Sequence, residues 1–183
     1  MNLRKVNALS DPLLLEKVHQ LYLTAFPKEE RIPWPLVCLN SRRKDVDLTA
    51  FLDGDTFCGF TYSVTCGDEH FLLFFAVEEH LRSQGYGSAI LSLLKQTYSS
   101  VSLNIETLTD DAPNLPERLH RYGFYRHNGF HDTGYHVWEV GGMFRILSTV
   151  PEVDIPNYQK FFLKLTFGIW RVRVEKAEGP LYG

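Results

Sequence analysis

The chain is poor in the residues that build disulfide or metal frameworks. Its three cysteines, Cys38, Cys58 and Cys66, are odd in number and include no Cys-x-x-Cys pair. That argues against a disulfide scaffold and against a zinc site, and cysteine used so sparingly fits a reducing cytoplasm. Positive charge is not in excess either. Nineteen Lys and Arg stand against 22 Asp and Glu, a formal net charge of -3, so no basic field invites nucleic acid. No uncharged apolar run reaches membrane-spanning length, and Met1-Asn2-Leu3-Arg4-Lys5-Val6 is not followed by the apolar core of a signal peptide. Internal repeats and low-complexity segments are missing as well. The expectation is a cytoplasmic protein without a membrane or nucleic-acid partner.

What is present is a regular alternation of elements. At 183 residues and 44% hydrophobic, the chain can bury one proper core. Leu3 to Leu9 reads as an edge strand, and Ser10-Asp11-Pro12 starts a helix with Leu14, Val18, Leu21, Tyr22 and Ala25 on one face. A short helix is expected near Pro35 to Arg42. Val46 to Leu52 and Phe57 to Thr65 flank Asp53-Gly54-Asp55-Thr56 as a β-hairpin. A second hairpin, His131 to Val140 against Met143 to Thr149, turns near Gly141-Gly142. In the tail, Asp154 can cap a helix from Pro156 that stops at Gly168, and Ile169 to Glu175 alternates like a strand with Trp170, Val172 and Val174 on one face. The fold class predicted is mixed α/β, a strongly twisted mixed sheet with helices on both faces and a C-terminal helix and strand extension.

The middle of the chain carries the chemistry. His70 to Val77 (HFLLFFAV) is short and apolar, as a buried strand requires. Ile90, Leu91, Leu94 and Tyr98 form the stripe of an amphipathic helix. Between them a polar loop ends in Arg82-Ser83-Gln84-Gly85-Tyr86-Gly87-Ser88. A strand that feeds a glycine-rich turn and then a helix aims bare backbone N–H groups and the positive helix end at one spot, suited to a pyrophosphate. A side chain at Gly85 or Gly87 would hold the phosphate away. Gly87 is followed by Ser88-Ala89, not by Lys-Ser/Thr, which excludes a Walker A loop. Ile90 stands where a dinucleotide loop needs a third glycine, and eight residues, Val77 to Gln84, precede the first one.

The remaining pattern, Val-x-x-x-x-Arg-x-x-Gly-x-Gly from Val77 to Gly87, resembles the coenzyme A loop of the GNAT superfamily of N-acetyltransferases. Tyr125-Arg126-His127-Asn128-Gly129-Phe130 resembles that superfamily's Tyr-x-x-x-Gly-Phe signature. Room for a strand (Val101 to Thr107) and a helix (about Leu115 to His127) lies between the two motifs. The match covers roughly residues 46–148. It implies a single acetyltransferase domain over residues 1–150, with 151–183 as an extension packed on it or on a dimer partner, which leaves a homodimer open.

The resemblance also implies roles. Phe75, Ala76, Val77, Arg82, Ser83, Gln84, Gly85, Tyr86, Gly87 and Ser88 would bind acetyl-CoA, and no metal is needed. The thioester would lie between the ends of the strands finishing at Val77 and Thr107, with the N–H of Val77 or Ala76 polarising its carbonyl. Tyr125 occupies the place of the acid that protonates the departing thiolate, although Tyr122, Phe124 and Tyr125 form an aromatic cluster in which one ring simply packs. Glu106, at a strand end, is the candidate base, with Glu78 and Glu79 as competitors. The family's asparagine seven residues before the tyrosine is Arg118 here, and Asn114 replaces it only if the helix start is shifted. His120, His127, His131 and His136 have no carboxylate at ligand spacing, so no metal site is expected. The acceptor would be a primary amine of a small molecule or peptide, bound by the first two helices, their loop and the last hairpin. Glu29, Glu30 and Asp132 are acids for a cationic amine and Arg31 a partner for a carboxylate, or all are ordinary solvated charges. The alternative to an enzyme is a non-catalytic coenzyme A-binding module on the same fold.

Overall fold

Local chemistry places the first elements. Asn7 ends strand β1 (Leu3–Asn7) early, because its side chain accepts from the N–H of Leu9 and turns Ala8–Ser10 into a 3₁₀ turn. The strand expected to run to Leu9 is shorter for that reason. Asp11 caps helix α1 (Pro12–Ala25) by accepting from Leu13 and Leu14, with Pro12 pre-set for the first helical position. The structure is a computed structural model describing residues 1–110, 112, 114–139, 142–179 and 181. The further elements are α2 (Trp34–Asn40), β2 (Val46–Asp53), β3 (Thr56–Cys66), β4 (Glu69–Val77), α3 (Tyr86–Thr97), β5 (Ser100–Glu106), α4 (Leu115–His127), β6 (His131–Glu139), β7 (Gly142–Ser148), α5 (Ile155–Leu165) and β8 (Arg173–Lys176). The class is mixed α/β, as the alternation predicts. The described residues fall into two compact units, Met1–Thr65 with Leu72–Thr97, and Cys66–Phe71 with Tyr98–Gly183.

The first unit orders its strands β1-β2-β3-β4, and β2 pairs antiparallel with both β1 and β3. Its core is aromatic. Tyr22 of α1 meets Phe74 of β4 edge-on at 5.0 Å, and Phe26 does the same at 4.8 Å. Phe60 of β3 lies 6.3 Å from Tyr22. Tyr22 is 1% exposed, and its hydroxyl donates to the carbonyl of Ile32 at 3.0 Å, which ties the α1–α2 loop to the core. Ile90, Leu91 and Leu94, the apolar stripe of α3, are buried.

The second unit orders its strands β5-β7-β6-β8, with β7 antiparallel to β5 and β6, and β8 antiparallel to β6. Tyr158, Phe161 and Phe162 of α5 surround Phe71, with ring centroids 5.5, 5.5 and 5.2 Å away. Asp154 caps α5 through the N–H of Asn157, but the helix ends at Leu165 rather than Gly168. Phe167 and Gly168 take positive φ, and the Thr166 hydroxyl accepts from the N–H of Trp170. This turn holds residues 166–170, so the expected strand from Ile169 shrinks to Arg173–Lys176. Trp170 is 37% exposed while Val172 is buried, so the two do not share an environment. The turn expected near Gly141-Gly142 lies partly outside the described residues; β7 begins at Gly142.

At the centre of the second unit sits a buried charge. Arg145 of β7 is 2% exposed. Its Nε and Nη2 donate to Asp132 Oδ1 and Oδ2 at 2.6 and 2.7 Å, and Nη2 also donates to the carbonyl of Gly179 at 2.7 Å. The N–H groups of Gly134 and Leu181 donate to the same carboxylate. Nη1 lies 3.0 Å from His136 Nε2. Arginine has no acceptor atom, so Nε2 must accept and the imidazole is neutral. Burial lowers the pKa of His136, and the Arg145 charge adds to that. The β6–β7 register shifts between Asp132 and His136, which lets both side chains reach one guanidinium. Asp132 is therefore not the open acid the sequence suggests for a cationic acceptor.

Burial alone would raise the Asp132 pKa, but hydrogen bonds from Arg145 and Gly134 hold it below the usual carboxylate range. Its contribution to stability is thus present above the unfolded value of ~3.9 and disappears as pH falls through the lower folded value. Asp132→Asn leaves Arg145 buried without a counter-charge and should cost about 3–5 kcal/mol in urea unfolding at neutral pH. That gap should narrow as pH falls below ~4, where Asp132 of the unfolded chain takes up its proton first, and close once pH passes the lower folded value.

Candidate active site

In the first unit the glycine loop is shaped by its own polar groups. After β4 a 3₁₀ turn spans Glu79–Leu81, and Gln84 Nε2 closes it by donating to the carbonyl of His80 at 2.7 Å. Leu81 anchors the turn by burial. Ser83 (φ 60°) and Gly85 (φ 87°) then reverse the chain. Gly85 suits that position because it adopts positive φ without strain. The first bond into α3 runs from the N–H of Ala89 to the carbonyl of Gly85 at 3.0 Å. The N–H groups of Tyr86, Gly87 and Ser88 precede it and have no intrahelical acceptor. Arg82 through Gly85 are exposed, so this positive helix end opens to solvent beside the Arg82 guanidinium, whose Nε donates to the carbonyl of Val77 at 3.3 Å.

The side chain of Tyr86 turns away from that opening. Its hydroxyl donates to Asp53 Oδ2 at 3.0 Å, while Asp53 Oδ1 accepts from the N–H of Asn2 at 2.9 Å. These two bonds hold the Asp53 carboxyl below its ordinary value, and the carboxylate in turn raises the Tyr86 phenol. Asp53 thus fixes the start of α3 from the end of β2. Only the backbone of Tyr86 remains for a ligand.

The end of β4 is held just as firmly. The N–H of Glu78 donates to the carbonyl of Cys58 at 2.9 Å. At Gly59 an added Cβ would lie 2.3 Å from the carbonyl oxygen of Ala76 and 3.1 Å from the Cα of Val77, so only glycine permits this approach. Ala76 is buried, and Phe75 and Val77 are half-buried on the strand's other face. A glycine inside the apolar run Phe57 to Thr65 was the available signal for such a contact.

In the second unit the two sequence-predicted groups Glu106 and Tyr125 share an arginine, Arg121, that sequence reasoning missed. Glu106 Oε1 accepts from Arg121 Nη2 at 2.9 Å. Glu106 Oε2 makes no hydrogen bond among the described residues. Tyr125 is the buried residue of α4, with its ring 5.3 Å from Phe124 and 5.6 Å from Phe130. Burial pushes its phenol up to about 12, the Arg121 charge pulls it down, and the Glu106 charge raises it. Its hydroxyl has no hydrogen-bond partner among the described residues. Tyr122 takes no part in this core; Arg126 lies over its ring at 5.8 Å.

Arg118 has a structural task. Its Nη1 donates to the carbonyl of Thr107 and its Nε to Asn114 Oδ1, both at 2.8 Å. Asn114 stands at the N-cap of α4 without capping it, because its side chain is engaged by Arg118. Arg118 thus takes up Asn114 Oδ1, and the position of the family's asparagine offers a guanidinium in place of an amide. Cys38, Cys58 and Cys66 are free thiols. Among the described residues no group of three or more His, Cys, Asp or Glu is placed to hold a metal ion, and no helix is long and apolar enough to cross a membrane.

Known proteins resemble this arrangement. The model of the Acetyltransferase (GNAT) family matches residues 15–130. No curated protein matches the sequence. Among solved structures, a protein of the GNAT family from Bacteroides thetaiotaomicron superposes with a TM-score of 0.70 at 18% identity, covering 93% of this chain and 100% of that one. An aminoglycoside 6'-N-acetyltransferase complexed with coenzyme A gives 0.64 at 17% identity, over 84% of this chain and 100% of that one. The aminoglycoside 6'-N-acetyltransferase from Enterococcus faecium gives 0.62 at 16%, over 84% and 100%. At these identities the likeness is one of fold. The family match is one of sequence, and its span holds the strand β4, the glycine loop with α3, and the Tyr-x-x-x-Gly-Phe end of α4: the chain belongs to the acetyltransferase (GNAT) family.

Proposed function

We propose that this protein transfers an acetyl group from acetyl-CoA to a primary amine of a small molecule or peptide, by direct attack of the amine within a ternary complex. The observation that carries the reading is the solvent-open start of α3, where three N–H groups without helical acceptors follow an exposed Arg82 and a glycine turn. A pyrophosphate satisfies such donors, because the helix end and the guanidinium both favour negative charge. Coenzyme A in structures of similar fold supports the same ligand class.

Acetyl-CoA supplies a thioester whose carbonyl carbon accepts the amine. The new C–N bond forms as the C–S bond breaks, the amine gives one proton to the base, and the departing thiolate is stabilised by a hydrogen bond before it takes a proton from solvent. Glu106 is the proposed base. Its pairing with Arg121 through Oε1 orients the carboxylate and leaves Oε2 to take the proton, directly or through one water. Tyr125 is the proposed partner of the thiolate. A phenol raised to about 12 stays protonated at neutral pH, so it offers its hydrogen throughout the reaction. An ordinary thiol has a pKa of ~8.5, well below that phenol, which makes hydrogen-bond donation the larger part of the role and complete transfer the smaller.

Three variants test this assignment. Gly87→Glu places a carboxylate among the α3 N–H groups and should abolish calorimetric binding of coenzyme A; equal affinity in wild type and variant rejects the loop as the site. Tyr125→Phe should lower kcat by roughly tenfold or more while leaving coenzyme A affinity within about twofold, because the hydrogen bond strengthens only as the thiolate forms. Unchanged turnover would reduce Tyr125 to packing. Glu106→Gln keeps the shape but cannot accept the proton, so kcat/KM should fall by roughly 10²-fold or more and lose its acid limb. A wild-type pH profile in that variant would move the role to Glu78, Glu79 or the substrate.

A further inference from the structure

The first unit contains a guanidinium with no anion. Arg31 follows the 3₁₀ turn Lys28–Glu30 in the α1–α2 loop, and its Nε is buried without a hydrogen-bond partner. No carboxylate pairs with Arg31 among the described residues. Leaving a charged donor's N–H buried and unsatisfied is costly, and native structures rarely keep one without a reason. Arg145 shows what satisfaction looks like in this chain, with bidentate Asp132 and a backbone carbonyl.

The surroundings of Arg31 are rigid and aromatic. Its charge is near enough to lower the pKa of the Tyr22 phenol against the larger upward effect of burial. That phenol is committed to the carbonyl of Ile32, the next residue. Tyr22 packs on Trp34 at 5.6 Å and on Phe74 at 5.0 Å, and Trp34 stacks on His19 at 4.3 Å. The loop holding the arginine is therefore tied to the aromatic core through Tyr22. Phe74 and Ala76 point to the same face of β4, since side chains alternate along a strand. The unpaired guanidinium thus neighbours Tyr22, whose ring packs on the Phe74 face of β4.

We propose that Arg31 binds a carboxylate of the acceptor, so that the amine acetylated belongs to a molecule carrying a carboxylate, a free amino acid or a peptide with a free C-terminus. This rests on the amine-acetylation reading above. A carboxylate matches the planar donor fork of arginine and presents two oxygens, one of which can meet the orphaned Nε. Burial of the Nε keeps water from that side of the pair, which strengthens it.

The test compares matched acceptors: L-amino acids against their carboxamides, and a short peptide with a free C-terminus against its amidated form. Coenzyme A release gives kcat and KM with acetyl-CoA, and calorimetry on the coenzyme A complex gives binding of the same probes without turnover. Wild type should favour acids over amides by roughly tenfold to a hundredfold, expressed mainly in KM and in binding. Arg31→Gln should remove that preference, and Arg31→Lys should keep only part of it, because an ammonium cannot pair bidentately. Whether free amino acids or the peptide acid carry the preference identifies the source of the carboxylate. Equal treatment of acids and amides by wild type, or a preference that survives Arg31→Gln, overturns the proposal. If the glutamine variant does not fold, the wild-type comparison still decides. Acid-selective binding without turnover on any amine would uphold the Arg31 site and overturn the acetylation reading instead.

Discussion

The second unit is organised around a charge that water cannot reach. Arg145 lies within β7, and every nitrogen of its guanidinium finds a partner: Asp132 on β6, His136 on β6, and the carbonyl of Gly179 in the tail. One side chain therefore unites the bulge in β6, the β6–β7 register and the chain past β8. Exchanging such a pair for apolar residues is often neutral or stabilising, whereas removing one partner alone is severe. The consequence is conformational specificity. A slip of β6 by one residue would carry Asp132 to the opposite face and strand the charge, so the native register is favoured by more than hydrophobic pattern.

The first unit presents a different feature, donors that never titrate at the proposed anion site. The donors at the start of α3 are backbone N–H groups, and their aim is set by Ser83 and Gly85 in the left-handed region and by Tyr86 tied to Asp53. Backbone donors cannot lose their protons and require no side-chain ordering on binding. An anion held there depends on the loop keeping its shape more than on any one side chain. The bonds that keep that shape, Gln84 to His80 and Tyr86 to Asp53, lie within the loop or beneath it rather than facing the ligand.

Arg31 and Arg145 differ in one respect, whether the described residues supply a counter-ion. Arg118 and Arg121 fall on the satisfied side too, with the Thr107 carbonyl and Glu106 as acceptors. The Glu106–Arg121 pair and the buried Tyr125 form one electrostatic neighbourhood, in which the arginine lowers and the glutamate raises the phenol's pKa. Substitution at any of the three will thus shift the other two, and their effects on rate are not expected to add.

Much of this protein is readable in the linear chain, because periodicity and glycine spacing are local properties. The stripe Ile90, Leu91, Leu94 specifies α3, the Asp53-Gly54-Asp55-Thr56 turn specifies the β2–β3 hairpin, and Leu115 to His127 is helical to the residue. Arg82-x-x-Gly85-x-Gly87 and Tyr125-x-x-x-Gly129-Phe130 name the family through backbone demands that few other residues meet. Long-range partnerships are not local, and there the chain alone misleads. Asp132 reads as an open acid until β7 brings Arg145 to it; Ile169 to Arg171 read as strand until Thr166 and Gly168 turn them aside. The contact of Gly59 with Ala76, the bond from Tyr86 to Asp53, and the lack of a partner for Arg31 Nε among the described residues depend on segments far apart in sequence. Local preference decides which elements form, but only packing decides which charges are neutralised, since a counter-ion is a matter of distance in space.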